Sequence, residues 1–241
     1  MSPTPASVAF FDLDDTITVE NTGKLLVQYL YETGAMSRRD VVRAALLDVQ
    51  FRWGLRSYGD IAADAALFNR GAPVAELEHQ ISNWFAATGQ AAISPLAREW
   101  AEQHRQRGDL LVINTSGTRF NSAPFVQDLE FDDVLCTELE VADGRFTGGL
   151  LPPVCFGKGK LIKAQDFCRV RAIELDDCTF YSDSHHDLPL FLEVGTPIAV
   201  NPTLQLFMEA RKRGWEIRLT RPSWWRRPCP AIPNAIVERS A

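Results

Sequence analysis

A chain of 241 residues has room for one large domain, or for a core with a smaller inserted one. Its hydrophobic share of 46% and charged share of 23% are those of an ordinary globular protein. The net charge of −6 supplies no general basic field for nucleic acid or an anionic membrane, so an anionic ligand needs local groups or a metal. The start, Met1-Ser2-Pro3-Thr4-Pro5, lacks the charged and apolar regions of a secretory signal, and no apolar run reaches the about eighteen residues of a spanning helix. A cytoplasmic chain with reduced thiols is therefore expected. Cys136, Cys155, Cys168, Cys178 and Cys229 show no paired spacing.

The first element predicted is a buried strand, Ser7-Val8-Ala9-Phe10-Phe11, and it runs straight into Asp12-Leu13-Asp14-Asp15-Thr16. Two carboxylates about 4 Å apart repel by roughly 4 kcal/mol at an effective dielectric near 20. Such crowding is relieved by protonation or by a cation, and hard oxygen ligands suit Mg²⁺ beside phosphate oxygens. A strand ending at the carboxyl edge of an α/β sheet delivers these groups to the usual ligand position.

Four helical patterns follow. Leu25, Leu26, Tyr29 and Leu30 mark the first, with Gly34 as its cap. Residues 41–53, 61–68 and 75–85 mark the others, and none contains an alternating strand. The chain then changes character. Ser94-Pro95 starts a helix that ends at Gly108, and 109–115 is a second buried strand. Because a strand-to-strand crossover needs little more than one helix, most of 19–91 reads as a helical insertion over the acids, where a lid belongs.

Beyond Thr115, 126–131 is expected to complete a helix and 133–139 to form a third strand. Asp143-Gly144 lies between strand-like residues and signals a hairpin, with 148–153 as loop. A helix over 158–170, strands over 178–183 and 196–200, a helix over 203–213 and an edge strand over 216–220 complete the alternation. The stretch 221–241, with four prolines and Trp224-Trp225-Arg226-Arg227, is read as a tail packed on the core or as an aromatic-basic patch.

Four polar features lie where strand or loop ends converge: Asp12, Asp14 and Thr16; Thr115; Lys158 and Lys160; Asp183 and Asp187. In this order the chain resembles the haloacid dehalogenase superfamily, and more closely its phosphoserine-phosphatase-like branch, subfamily IB. Asp12-Leu13-Asp14-Asp15-Thr16 matches the first motif, DxDxT, and Val112-Ile113-Asn114-Thr115 the second. Lys160 resembles the third motif's lysine, and Asp183 with Asp187 the (G)DxxxD of the fourth.

The resemblance implies a Rossmann-like parallel sheet flanked by helices, residues 1–18 plus 92–220, with a helical cap at 19–91. It also implies a Mg²⁺-dependent phosphatase acting on a small phosphorylated metabolite. Asp12 would attack phosphorus as an already ionised carboxylate, and Asp14 would serve as acid and base. Mg²⁺ would be held by Asp12, the Asp14 carbonyl and Asp183, with Asp187 nearby. Thr115 and Lys160 would contact phosphate, and Thr16 would hold the loop.

Ser116 competes with Thr115 for the phosphate role, and Lys158 with Lys160. Ser182 stands where the family usually has Gly. Phosphoserine phosphatases carry a Glu soon after the first motif to meet the substrate amine; here Asn21 holds the matching place and Glu20 lies one earlier. Arg52 and Arg56 are candidate readers of a substrate anion. The alternatives are a phospho-accepting signalling domain and a catalytically silent phosphate-binding protein.

Overall fold

The computed structural model describes residues 7–220; the predicted tail at 221–241 and Cys229 lie outside them. Among the described residues seven strands form one sheet. They are β1 (Val8–Phe11), β2 (Leu110–Thr118), β3 (Asp133–Ala142), β4 (Arg145–Leu151), β5 (Thr179–Ser182), β6 (Thr196–Val200) and β7 (Glu216–Arg218). Their order is β4-β3-β2-β1-β5-β6-β7, parallel except for the β3–β4 hairpin. The expected α/β class, a mostly parallel sheet flanked by helices, is what the chain adopts.

β1 is the central strand, and its four residues are fully buried. Alternation divides them between two cores. Ala9 and Phe11 join Trp100, Ile113, Phe125 and Tyr181 on one face; Val8 and Phe10 join Ala164, Phe167, Phe180 and Leu206 on the other. Phe11 stacks on Tyr181 with ring centroids 4.3 Å apart. The helices covering these faces include α5 (Pro95–Arg107), α6 (Arg119–Asp128), α7 (Lys158–Arg171) and α9 (Leu204–Arg213). α5 ends at Gly108, whose φ of 83° is the left-handed conformation that a helix C-cap favours.

Two predicted boundaries move. β2 runs on to Thr118, which then caps α6 by accepting from the Asn121 N–H; the helix is over by Asp128, so 126–131 is only its end and exit. The segment 148–153 is not all loop, because β4 extends to Leu151 against β3. Asp143 and Gly144 make the hairpin turn at φ 48° and 71°.

Between β1 and α5 lie four helices: α1 (Thr22–Glu32), α2 (Arg38–Arg52), α3 (Tyr58–Ala66) and α4 (Val74–Trp84). Their entry and exit run side by side, bridged at Thr18 and Ile93, with the Ser94 N–H donating to the Ile17 carbonyl at 2.9 Å. Burial divides them unequally. Ile81 and Trp84 of α4, with Leu25, Leu26 and Tyr29 of α1, join the Phe11 core. α2 buries only Leu47 and α3 only Ala66, while Val42, Leu46, Val49 and Trp53 stay exposed. Just past α3 the chain is pinned to β4: the Gly71 N–H donates to the Phe146 carbonyl at 2.8 Å.

His104 on α5 is buried between the Asp109 carboxylate at 2.7 Å and the Tyr181 hydroxyl at 2.9 Å. Burial lowers its pKa, with Asp109 opposing. The folded state therefore favours the neutral ring, and the unfolded chain binds the proton more tightly. Stability is then full above pH about 6.5 and falls as pH drops below it, by at most about 1.4 kcal/mol per pH unit for one proton. Urea unfolding at pH 7 and pH 5 checks this. A His104→Gln variant should lose less stability across that interval than the parent, and an equal loss would contradict the assignment.

Candidate active site

Asp12 leaves the end of β1 and Asp183 the end of β5. These strands are neighbours at the point where the sheet order reverses, the position at which α/β sheets bind ligands. The Asp12 N–H continues the ladder to the Tyr181 carbonyl at 2.8 Å, and its carboxylate accepts from the Leu13 N–H at 2.9 Å. The chain then turns over Leu13–Ile17, with Asp15 at φ 58° and its carbonyl held by the Asn201 amide at 3.3 Å. This turn brings Asp14 to the N-terminus of α1, where it accepts from the Thr22 N–H at 2.6 Å.

Lys160 is the organising cation. Its ammonium lies 2.9 Å from Asp12 and 2.7 Å from Asp187, with all three side chains nearly inaccessible. Burial opposes its charge, but Asp12 and Asp187 outweigh that and push its pKa up. Asp187 is also held by the Ser182 hydroxyl at 2.6 Å. Ser182, the departure from the family glycine, thus orients a carboxylate. Lys158 is exposed at the start of α7, so the two candidate lysines separate by environment.

The acids do not behave as free carboxylates. Asp12 is pushed up to about 7, chiefly by burial, with Lys160 opposing and Asp187 adding repulsion. Burial thus works against the ionised form expected of Asp12, and the Lys160 ammonium works for it. Asp14 is raised by burial against the Thr22 N–H, and Asp183 is raised by burial and by Asp12, Asp15 and Asp187.

A cavity of about 570 Å³ opens above this floor. Asp12, Asp14, Lys160, Asp183 and Asp187 line it, and so does Ser116. Thr115 is not part of the lining: it is buried, and its hydroxyl accepts from the Gly117 N–H at 3.1 Å. Thr115 and Ser116, the two candidate phosphate ligands, thus differ in environment, with the pairing of β2 to β3 irregular between Asn114 and Thr118. Thr16 is buried with no hydrogen-bond partner for its hydroxyl, so its side chain makes no visible tie across the loop. Arg52 pairs with Asp48 and Arg56 with Asp64, and neither lines the cavity.

Sequence reasoning missed the aromatic wall of Phe51, Tyr58, Phe156 and His186. Tyr58 stacks on Phe156 at 4.2 Å, Phe51 meets both rings at 5.6 Å, and His186 lies 4.9 Å from Phe156. The Tyr58 hydroxyl donates to the Ser116 carbonyl at 3.0 Å. These residues come from four separate segments, and no local spacing connects them.

Residues 9–192 match the family of haloacid dehalogenase-like hydrolases. The chain belongs to that family. Among its relatives, the histidinol-phosphatase of Neisseria meningitidis is 31% identical over 88% of this chain and 97% of its own length. The phosphoserine phosphatase SerB1 of Mycobacterium tuberculosis is 31% identical over 88% of this chain and 70% of its own length. A Bordetella pertussis protein of unknown function superposes with a TM-score of 0.84 at 25% identity, covering 90% of this chain and all of that one. The haloacid dehalogenase-like member described here is a phosphoric monoester hydrolase by these relationships, and its resemblance to the phosphoserine-phosphatase-like branch is borne out.

The donor set of this haloacid dehalogenase-like site fits a hard divalent cation. Asp12 and Asp187 flank one ammonium, Asp14 and Asp183 line the same cavity, and burial, with repulsion between neighbouring acids added, raises Asp12 and Asp183. Among the described residues no three His, Cys, Asp or Glu side chains gather as a cage. Two carboxylates completed by backbone and phosphate oxygens is the set that Mg²⁺ takes.

Proposed function

We propose that the chain is a Mg²⁺-dependent phosphatase that hydrolyses the phosphomonoester of a small metabolite through a phosphorylated Asp12. The observation that carries this reading is the Lys160 ammonium bridging Asp12 and Asp187 at the floor of the cavity. In the first step an Asp12 oxygen bonds to phosphorus as the ester P–O bond breaks. Asp14, whose raised pKa suits a proton carrier, protonates the departing alkoxide. It then takes a proton from the water that attacks the aspartyl-phosphate, releasing inorganic phosphate and restoring Asp12.

Lys160 favours the charged form of Asp12 and meets the phosphoryl oxygens as a point charge. Ser116 offers a hydroxyl from the cavity wall in the place first expected of Thr115. Asp12, Asp183 and the Asp14 carbonyl would hold Mg²⁺, which supplies charge stabilisation for the transferred phosphoryl group. In this reading the described residues up to 18 and from 92 to 220 carry the machinery, and 19–91 caps it. Among the described residues no helix is long and apolar enough to cross a membrane.

Acid quenching during turnover of p-nitrophenyl phosphate, followed by peptide mapping, tests the reading. Phosphate should appear on Asp12, and release should stop with EDTA and return with Mg²⁺. A label on another residue, or turnover indifferent to EDTA, would overturn it. Hydrolysis of the adduct within seconds separates this enzyme from a phospho-accepting signalling domain, whose label persists.

A further inference from the structure

We infer that the substrate is the phosphate ester of an alcohol with an apolar or aromatic body and no carboxylate. This rests on the phosphatase reading above and goes further, because it concerns the end of the cavity away from phosphorus. That end is supplied by the inserted helices. Leu26, Leu30, Leu47, Ile61 and Phe68 line it, and the Phe51–Tyr58–Phe156–His186 wall closes one side.

Charge decides what such a space accepts. Of the residues that line the cavity, Lys160 alone is a lysine or arginine. Its ammonium already lies within 2.9 Å of Asp12 and 2.7 Å of Asp187, so it serves the phosphate end. Arg52 is paired with the lining acid Asp48 and Arg56 with Asp64, and Arg43, over the Phe68 ring at 4.9 Å from its centroid, is itself outside the lining. The remaining charged groups of the lining are Asp12, Asp14, Asp15, Asp48, Asp183 and Asp187, all acids. A substrate carboxylate seated here would lose water and gain neither a cation nor relief from repulsion. A buried charge without a partner is among the most costly arrangements in a protein.

The aromatic wall provides the positive side of the selection. Tyr58 is held in place through its hydroxyl on the Ser116 carbonyl, and its ring is fixed against Phe156. An apolar or aromatic body leaving water for this wall gains in proportion to the area it buries. A one- or two-carbon alcohol gains almost nothing there.

Two matched pairs of esters test both halves with the full chain and Mg²⁺. O-phosphoethanolamine and O-phosphoserine differ only by a carboxylate; 2-phenylethyl phosphate and ethyl phosphate differ only by a ring. The expected kcat/KM favours phosphoethanolamine over phosphoserine, and 2-phenylethyl over ethyl phosphate, each by at least about tenfold. In Phe51→Ala the phenylethyl-to-ethyl ratio should fall toward unity. Phosphoserine turned over as well as phosphoethanolamine, or equal rates for the phenylethyl and ethyl esters, would overturn this inference and leave the phosphatase reading intact. Release from none of the four above an Asp12→Asn control would overturn the phosphatase reading, and the inference with it.

Discussion

Replacing Asp12 by Asn should abolish phosphatase turnover, by roughly four orders of magnitude or more, without unfolding the chain. Asn keeps an oxygen for the Leu13 N–H that Asp12 binds at 2.9 Å, but it has no charge and attacks phosphorus poorly. Stability should change little. The variant loses the 2.9 Å contact with Lys160, yet it also removes a buried carboxylate that burial and Asp187 have already pushed up to about 7. Phosphate release and thermal unfolding measured on the same preparation distinguish the cases. A variant that melts like the parent and still turns over within a hundredfold of it would remove Asp12 from the reaction.

Lys160→Met is expected to do the reverse: it damages the fold as well as the chemistry. It leaves Asp12 and Asp187 buried together with no cation, and breaking a buried pair from one side typically costs about 3–5 kcal/mol. Urea unfolding at neutral pH measures that loss. Adding Asp187→Asn should recover part of it, because the second carboxylate is then gone and the Ser182 hydroxyl still has an oxygen to meet. Lys160→Arg should not restore activity, since a planar guanidinium does not fit a site only 2% exposed on a geometry set by a single nitrogen. A Lys160→Met loss below about 1 kcal/mol would mean that the trio is not ionised as described.

What the sequence made legible follows from how local each signal is. Apolar runs marked β1 and β5 because both strands are buried on two faces, and each delivers its carboxylate from the residue that follows the run. Asp143-Gly144 marked the hairpin because its backbone angles suit few residues. β4 went unrecognised beyond Thr147 because Gly148 and Gly149 carry no side-chain pattern; its partner β3 makes it a strand. The choice between Lys158 and Lys160 depended on which side of α7 faces the sheet, which two positions in a row of alternating Lys and Gly do not reveal. Thr115 and Ser116 are successive positions at the end of one strand and so face opposite ways, which the sequence run alone does not orient. The aromatic wall joins residues more than a hundred positions apart and had no sequence signature at all.

The uneven burial of the inserted helices has a mechanical consequence. α1 and α4 are welded into the Phe11 core, whereas α2 and α3 bury one residue each between Gly34 at φ 76° and Gly71 at φ 81°. The segments that give up least apolar contact open at the lowest free energy. α2 and α3 are therefore expected to exchange their amide hydrogens faster than α1 and α4, which native-state hydrogen exchange measures. Phe51 belongs to α2 and Tyr58 to α3, whereas Phe156 and His186 lie outside the inserted helices. The ring cluster thus ties the least anchored part of the insertion to the sheet domain.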